Sequence, residues 1–306
     1  MTAPKTMPRL ETTPRLAINE LSAISLRDGN RPILRRVSLD VGLGEVHGLV
    51  GESGAGKSTI AKAILGIIPS QVRIAGGQIG FEGRDLLTLS ANALRAVLGR
   101  DIALVPQDPS TALNPSRRIE AQMTDGLRLK RGLSAKDARL RALALLEEVQ
   151  IRDPDRVLAS YPHQLSGGMR QRVLIAAAFG LEPKLVIADE PTTALDVTVQ
   201  KQILRLIRAL QERHGTSVLF VSHDLGVVAK ICDRVTVLYM GKVVEQGATA
   251  EVLAAPRHAY TKALLAANPR YDRPDTGLEP TPPDVIAALR AEIAAFDAGA
   301  AEGRNG

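Results

Sequence analysis

An α/β fold with a parallel sheet at its centre is predicted for this chain of 306 residues by three observations. Residues 185–188 and 218–221 are compact apolar runs, the pattern of strands buried on both faces of a parallel sheet. Residues 197–213, which lie between them, and residues 135–150 further upstream have the periodicity of amphipathic helices. A third apolar run, 45–50, passes through a glycine-rich loop into the helix-forming stretch 60–65. Strands alternating with helices, without an internal repeat, imply an α/β core.

Residues 1–16 are rich in Pro and Thr and lack the apolar stretch of a signal peptide, so a flexible N-terminal segment is expected there. The runs 21–26 and 37–41, split by the turn residues Asp28-Gly29-Asn30, are expected strands ahead of 45–50. The main domain should extend over 17–268. After Asn268 the composition turns to Pro, Asp, Gly and Ala, which sets off a tail over 269–306. In that tail Thr281 as N-cap, Pro282 at the first helical position and Asp284 at the third start a helix over about 282–298. Ile286, Leu289, Ile293 and Phe296 recur along it at helical spacing, so it should dock, with Gly299 as its stop and the last seven residues disordered.

Composition narrows the class. A hydrophobic fraction of 45% and a charged fraction of 24% are those of an ordinary soluble globular protein. Lys and Arg outnumber Asp and Glu by 39 to 33, but no basic run collects the excess. The eight aromatics form no stacking platform, so nucleic acid is not an expected partner. Cys232 stands alone, which excludes an intrachain disulfide, and the five His show no metal-ligand spacing with it. The longest apolar run, 173–181, is far short of the roughly twenty residues of a membrane span. A cytoplasmic protein is expected, and any transport role needs separate membrane subunits.

Three stretches carry chemistry. Gly51-Glu52-Ser53-Gly54-Ala55-Gly56-Lys57-Ser58-Thr59 sits between a strand and a helix, the context of a phosphate loop. Its glycines let successive amides turn inward while the helix points its positive end at the same place. Lys57 then reaches the β- and γ-phosphates and Ser58 ligates Mg²⁺. The strand 185–188 delivers Asp189 and Glu190 at its C-terminal end, where ligands gather in open α/β sheets. Asp189 suits a second Mg²⁺ contact and Glu190 suits polarisation of an attacking water. These two stretches alone say only P-loop NTPase. The third, Leu165-Ser166-Gly167-Gly168-Met169, opens a helix and makes a second anion site.

With that third stretch the chain resembles the ATP-binding cassette (ABC) ATPases, whose signature it carries. Further marks follow the family's order: Gln107 in Val105-Pro106-Gln107-Asp108, Asp196 in Thr193-Ala194-Leu195-Asp196, and His223 in Val221-Ser222-His223-Asp224. Gln107-Asp108-Pro109, Leu113-Asn114-Pro115 and Ala259-Tyr260-Thr261-Lys262-Ala263-Leu264-Leu265 are similar to the oligopeptide/dipeptide/nickel importer ATPases. The resemblance implies a RecA-like P-loop core with an antiparallel β-subdomain and a helical signature subdomain over about 108–180. It implies ATP and Mg²⁺ as cofactors, with Ser58, Gln107 and Asp189 on the metal. Glu190, His223 and Gln107 would be catalytic, and Asp196 a dimer contact. The signature would cap the ATP held by an opposite subunit, either a sister cassette or a second copy.

The partners implied are two permease subunits and, through them, an extracytoplasmic solute-binding protein, with this chain peripheral on the cytoplasmic face of the inner membrane. The family default cargo is peptides, with opines, nickel and sugars as alternatives. The rival reading is a non-transport ABC ATPase acting on nucleic acid or ribosomes; such proteins usually carry coiled coils, zinc modules or two cassettes, and none is visible here. A module that holds ATP without hydrolysing it is countered by Glu190 and His223. Two features depart from the family. The tail lacks the Cys-rich segment that holds an iron–sulfur cluster in one branch, and no aromatic residue precedes Phe81 to stack on adenine. Arg27 is the candidate for that stack.

Overall fold

The computed structural model describes residues 13–193, 195–267 and 283–302. Strands β1 (Leu16–Ser25), β2 (Arg31–Val41) and β3 (Val46–Val50) lead into helix α1 (Lys57–Ile64). β4 (Val72–Phe81), β5 (Arg84–Asp85), α2 (Ala91–Val97) and β6 (Ile102–Val105) follow. Then come five helices with no strand among them: α3 (Pro109–Ala112), α4 (Ile119–Arg131), α5 (Ala135–Glu148), α6 (Pro154–Ala159) and α7 (Gly167–Gly180). β7 (Leu185–Asp189), α8 (Val197–His214), β8 (Ser217–Ser222), α9 (Leu225–Ile231), β9 (Arg234–Tyr239) and β10 (Lys242–Ala248) restore the alternation. Helices α10 (Thr249–Ala254), α11 (Ala259–Ala266) and α12 (Pro283–Glu302) close the described chain.

The strands form two sheets. The larger has the order β10-β9-β3-β8-β7-β6; its five strands from β9 to β6 run parallel, and β10 joins the edge antiparallel to β9. The two-residue period of these strands explains why they read as continuous apolar runs. Val186, Ala188, Val218 and Phe220 face one core, shared with α4 to α9, whereas Leu185, Ile187, Leu219 and Val221 face a second. That second core is closed by Ile60 and Ile64 of α1 and by the smaller antiparallel sheet, of order β2-β1-β4-β5. Both faces are dry, so the central strands are mostly apolar, and the buried polar pair His47 and Thr236 is hydrogen-bonded together at 2.8 Å. The parallel strands β3, β6, β7 and β8 consequently end at one edge, where the site is built.

β1 starts five residues ahead of the strand expected at 21–26, and Leu16, placed in the expected flexible segment, is fully buried. Its apolar positions are Leu16, Ile18, Leu21 and Ala23, an alternation that slips by one residue at Glu20. Glu20 has φ 53° and the pairing with β2 shifts register there, the mark of a β-bulge. Arg36, φ 48°, makes a matching irregularity on β2 and pairs with Glu20. The bulge hides the strand from a search for strict alternation.

The tail helix is docked. Leu289 and Ile293 of α12 are buried in the larger core, worth about 1.5–3 kcal/mol each by area. Asp297 takes Arg35 Nε and Nη2 in two parallel hydrogen bonds of 2.7 and 2.8 Å. Lys242 donates to Glu292 at 2.7 Å and lies 5.0 Å from the centre of the Phe296 ring. Gly299 does not stop the helix, which runs on to Glu302; a glycine there costs about 1 kcal/mol and is tolerated in a helix already held by packing. The expected capping residues Thr281 and Pro282 lie outside the described residues, as do the last four residues of the segment expected to be disordered.

Candidate nucleotide-binding site

β3 ends at Val50, and the chain turns through 51–56 into α1. Two glycines make the turn. Gly51 lies so close to the neighbouring strand that a Cβ would sit 2.1 Å from the Leu238 carbonyl oxygen. Gly56, φ 106°, forms the N-cap of α1 in a left-handed conformation, with no side chain bonded to the helix's first amides. Those amides and the helix dipole therefore face the loop's interior, ready for an anion.

Lys57 is nearly buried, at 4% exposure, and its ammonium donates to the carbonyls of Gly51 at 2.7 Å and Glu52 at 2.9 Å. The loop thus wraps around its own lysine. Burial pulls the ammonium below the ordinary lysine range, and the carboxylates of Glu190, Asp189 and Glu52 oppose that pull. Gly51 and Ala55 are buried behind the loop, while Glu52, Ser53, Gly54, Gly56, Ser58 and Thr59 line an open cleft of about 820 Å³ with Lys57.

Three adjacent strand ends bring the remaining groups to the same cleft. Gln107 follows β6, Glu190 follows β7 and His223 follows β8. Glu190 has φ 46°, a conformation that a non-glycine residue adopts rarely, and its amide donates to Val221 O at 3.0 Å. One carboxylate oxygen, Oε2, gathers three partners: Gln107 Nε2 at 3.3 Å, Thr193 Oγ1 at 2.9 Å and His223 Nδ1 at 3.1 Å. Backbone strain at a carboxylate so surrounded is the pattern of a functional position.

Asp189, one residue earlier, has a buried Oδ1 with no hydrogen-bond partner. Burial, then the neighbouring Glu190 charge, pushes its carboxyl above the usual range, with Lys62 and Lys57 opposing. An orphaned carboxylate oxygen is a cost unless something positive meets it. The Ser58 hydroxyl and Gln107 amide oxygen at the cleft, with the Asp189 carboxylate at the end of β7, would offer an all-oxygen donor set, the chemistry that suits Mg²⁺. The residues present fit that ion.

The signature lies elsewhere. Leu165 is buried, Ser166 and Gly167 are exposed, and none of residues 165–169 lines the phosphate-loop cleft. Ser166 caps α7, its Oγ accepting from Met169 N at 3.3 Å. Gly168 packs against α8, where a Cβ would come within 3.3 Å of Val199 Cγ1. Asp196 caps α8, accepting from Thr198 N at 3.0 Å and Val199 N at 2.9 Å. Within this chain Asp196 is a helix cap.

Two cleft residues and one buried behind the loop escaped the sequence reading. Thr193 holds Glu190, Ile33 lines the cleft from β2, and Tyr260 accepts the Glu52 amide at 3.0 Å. Thr193 sits beside Asp196 in one motif, a proximity that could have flagged it; the other two come from distant sequence. Arg27, the candidate base stack, is exposed and lines neither the cleft nor the recess of about 260 Å³ beside it, where Arg31, Ile33 and Met240 stand. An aliphatic side chain such as Ile33 can cover the flat face of a base but cannot read its hydrogen-bonding edge. Competition binding should show ATP preferred over GTP by less than about a hundredfold, about 2.7 kcal/mol; a larger ratio would assign edge reading to a polar group of the recess such as Asp28 or Arg31.

The family model for ABC transporters matches residues 34–193, and that for the oligopeptide/dipeptide transporter C-terminal region matches 244–293. The chain is 49% identical to the peptidoglycan transport ATP-binding protein YejF of Agrobacterium fabrum, covering 88% of this chain and 50% of that one. It is 50% identical to the probable D,D-dipeptide transport ATP-binding protein DdpD of Escherichia coli, covering 81% and 76%. The chain thus spans half the length of the first relative and about three quarters of the second. Among solved structures it is similar to the dimeric, post-hydrolysis ATP-binding cassette MJ0796 bound to ADP and Pi, with a TM-score of 0.67, 28% identity, and 76% and 98% coverage. The chain belongs to the ABC transporter ATP-binding proteins, which are ATPases, and to their oligopeptide/dipeptide branch.

Proposed function

We propose that this chain is the ATP-hydrolysing subunit of an importer for peptides or a related small solute, working through separate permease subunits. The observation that carries the catalytic part is the convergence of Gln107, Thr193 and His223 on one oxygen of Glu190, at the mouth of the phosphate-loop cleft. The peptide part rests on the C-terminal region match and on the relatives' names.

In this reading the amides of 51–59 and the Lys57 ammonium bind the phosphates. Ser58, Gln107 and Asp189 hold Mg²⁺, which when bound neutralises charge on the phosphate oxygens. The Glu190 carboxylate accepts a hydrogen bond from the attacking water and takes its proton as the water oxygen bonds to the γ-phosphorus and the bridging P–O bond to the β-phosphate breaks, releasing ADP and phosphate. Thr193 keeps that carboxylate aimed, Gln107 bridges it to the metal side, and His223 stands beside the γ-phosphate. A second cassette supplies its own Leu165–Met169 stretch across the γ-phosphate, and closing of the pair on two ATP molecules assembles the reactive site. Phosphate release removes the bridge and the pair opens, because open and closed forms differ in affinity for ATP.

Among the described residues no helix is long and apolar enough to cross a membrane. Peripheral attachment through permease subunits at the cytoplasmic face of the membrane, with an extracytoplasmic binding protein delivering cargo, is the arrangement proposed from the family and the relatives' names. Affinity purification of the tagged chain from native membranes should bring down two permease proteins and a cassette partner. Recovery with ribosomes or nucleic acid, and without permeases, would overturn the transport role.

A further inference from the structure

The stretch His258-Ala259-Tyr260, which starts α11, ties two distant parts of the protein together. Tyr260 is 1% exposed, and its ring packs on Tyr239 with centroids 4.6 Å apart. Its hydroxyl accepts the backbone N–H of Glu52 at 3.0 Å. The carbonyl of the same Glu52 accepts from Lys57 Nζ at 2.9 Å. One residue of the phosphate loop is therefore held at both its backbone polar groups, on one side by the loop's own lysine and on the other by a C-terminal helix. The preceding Gly51 is shut against Leu238, which leaves the loop's entry little freedom.

The helix that carries Tyr260 is itself anchored. His258 Nδ1 accepts from Tyr260 N at 3.2 Å and so caps α11; its other ring nitrogen then carries the proton and donates to Glu292 Oε2 of α12 at 3.2 Å. A continuous set of contacts runs from the tail helix through His258 and Tyr260 to the phosphate loop.

We infer that Tyr260 is a positioning residue for nucleotide binding, whose hydroxyl fixes the phosphate loop through the Glu52 amide and makes the C-terminal region part of the ATP site. This rests on the proposed reading that the loop 51–59 holds the phosphates. A loop already fixed loses less freedom when the anion arrives, so the contact acts on affinity. Chemistry at Glu190 is untouched by it, so turnover at saturation is preserved.

The test uses the full chain and a fluorescent ATP analogue with Mg²⁺, comparing Tyr260→Phe with Tyr239→Phe. Both remove one hydroxyl from the same ring pair, but only the first hydroxyl is hydrogen-bonded to the loop. Tyr260→Phe should weaken nucleotide binding by about three- to tenfold, raise KM for ATP with kcat within about twofold, and speed hydrogen exchange of the loop amides. Tyr239→Phe should leave all three unchanged. Wild-type affinity and loop exchange in Tyr260→Phe, with only a lowered melting temperature, would reduce Tyr260 to a packing residue. Lys57→Ala separates the two levels: if it too binds like wild type, the phosphate-loop reading fails, whereas if it alone loses binding, the inference about Tyr260 fails by itself.

Discussion

Replacing Glu190 with Gln should lower ATP turnover by about two to four orders of magnitude while leaving ATP binding intact or tighter. The carboxylate is the group proposed to take a proton from a water beside the γ-phosphate, and the amide cannot. Size and shape are kept, and the amide oxygen still accepts from Thr193, which now donates to Oε2 at 2.9 Å. Removing a negative charge from the cleft also removes a repulsion toward the triphosphate, so affinity should not fall. Single-turnover hydrolysis beside equilibrium nucleotide binding reads both quantities. Turnover within about fivefold of wild type would take Glu190 out of the mechanism and pass the base role to another group.

Ser166→Arg should abolish turnover by a different route. Ser166 is exposed at the start of α7, and none of residues 165–169 lines this chain's own cleft. Its hydroxyl accepts a single bond, from Met169 N, so loss of that cap costs about 1 kcal/mol and leaves the fold in place. ATP binding to the chain's own loop should be unchanged. A bulky cation on the surface proposed to meet a partner's γ-phosphate should, however, block ATP-driven pairing. Hydrolysis should then fall by about a hundredfold or more, the size of effect seen when charge-stabilising donors are removed. Gel filtration with ATP and the Glu190→Gln background would show a dimer that the added Ser166→Arg prevents.

How much of this was legible in the sequence depended on whether the signal was local. The proposed phosphate loop is a run of nine residues between a strand and a helix, so its motif is visible in the residues alone, whereas the closure of Gly51 against Leu238 is not. Asp189 and Glu190 were legible because a buried strand must end somewhere polar. The strained backbone at Glu190 was not, since it follows from how β7 and β8 pair. β1 was misjudged at its start because the bulge at Glu20 breaks the period on which strands are recognised. Gly299 read as a stop because local propensity ignores the packing of Leu289 and Ile293. Arg27 was chosen by position along the chain, and the turn carries it to the surface while Ile33 comes to the cleft. Tyr260, about two hundred residues from the loop it touches, could be noticed as part of a family resemblance but not assigned a contact.

The central claim is that catalysis needs two cassettes, one giving the loop and Glu190 and the other the signature. ATPase activity of the purified wild-type chain, measured across a wide range of protein concentration at saturating Mg-ATP, tests it most directly. Specific activity should rise steeply with concentration, or upon addition of a cassette partner, and then level off as the pair fills. Specific activity that does not change on dilution, in a chain that remains monomeric with ATP, would mean that one cassette hydrolyses ATP alone and would contradict the shared site.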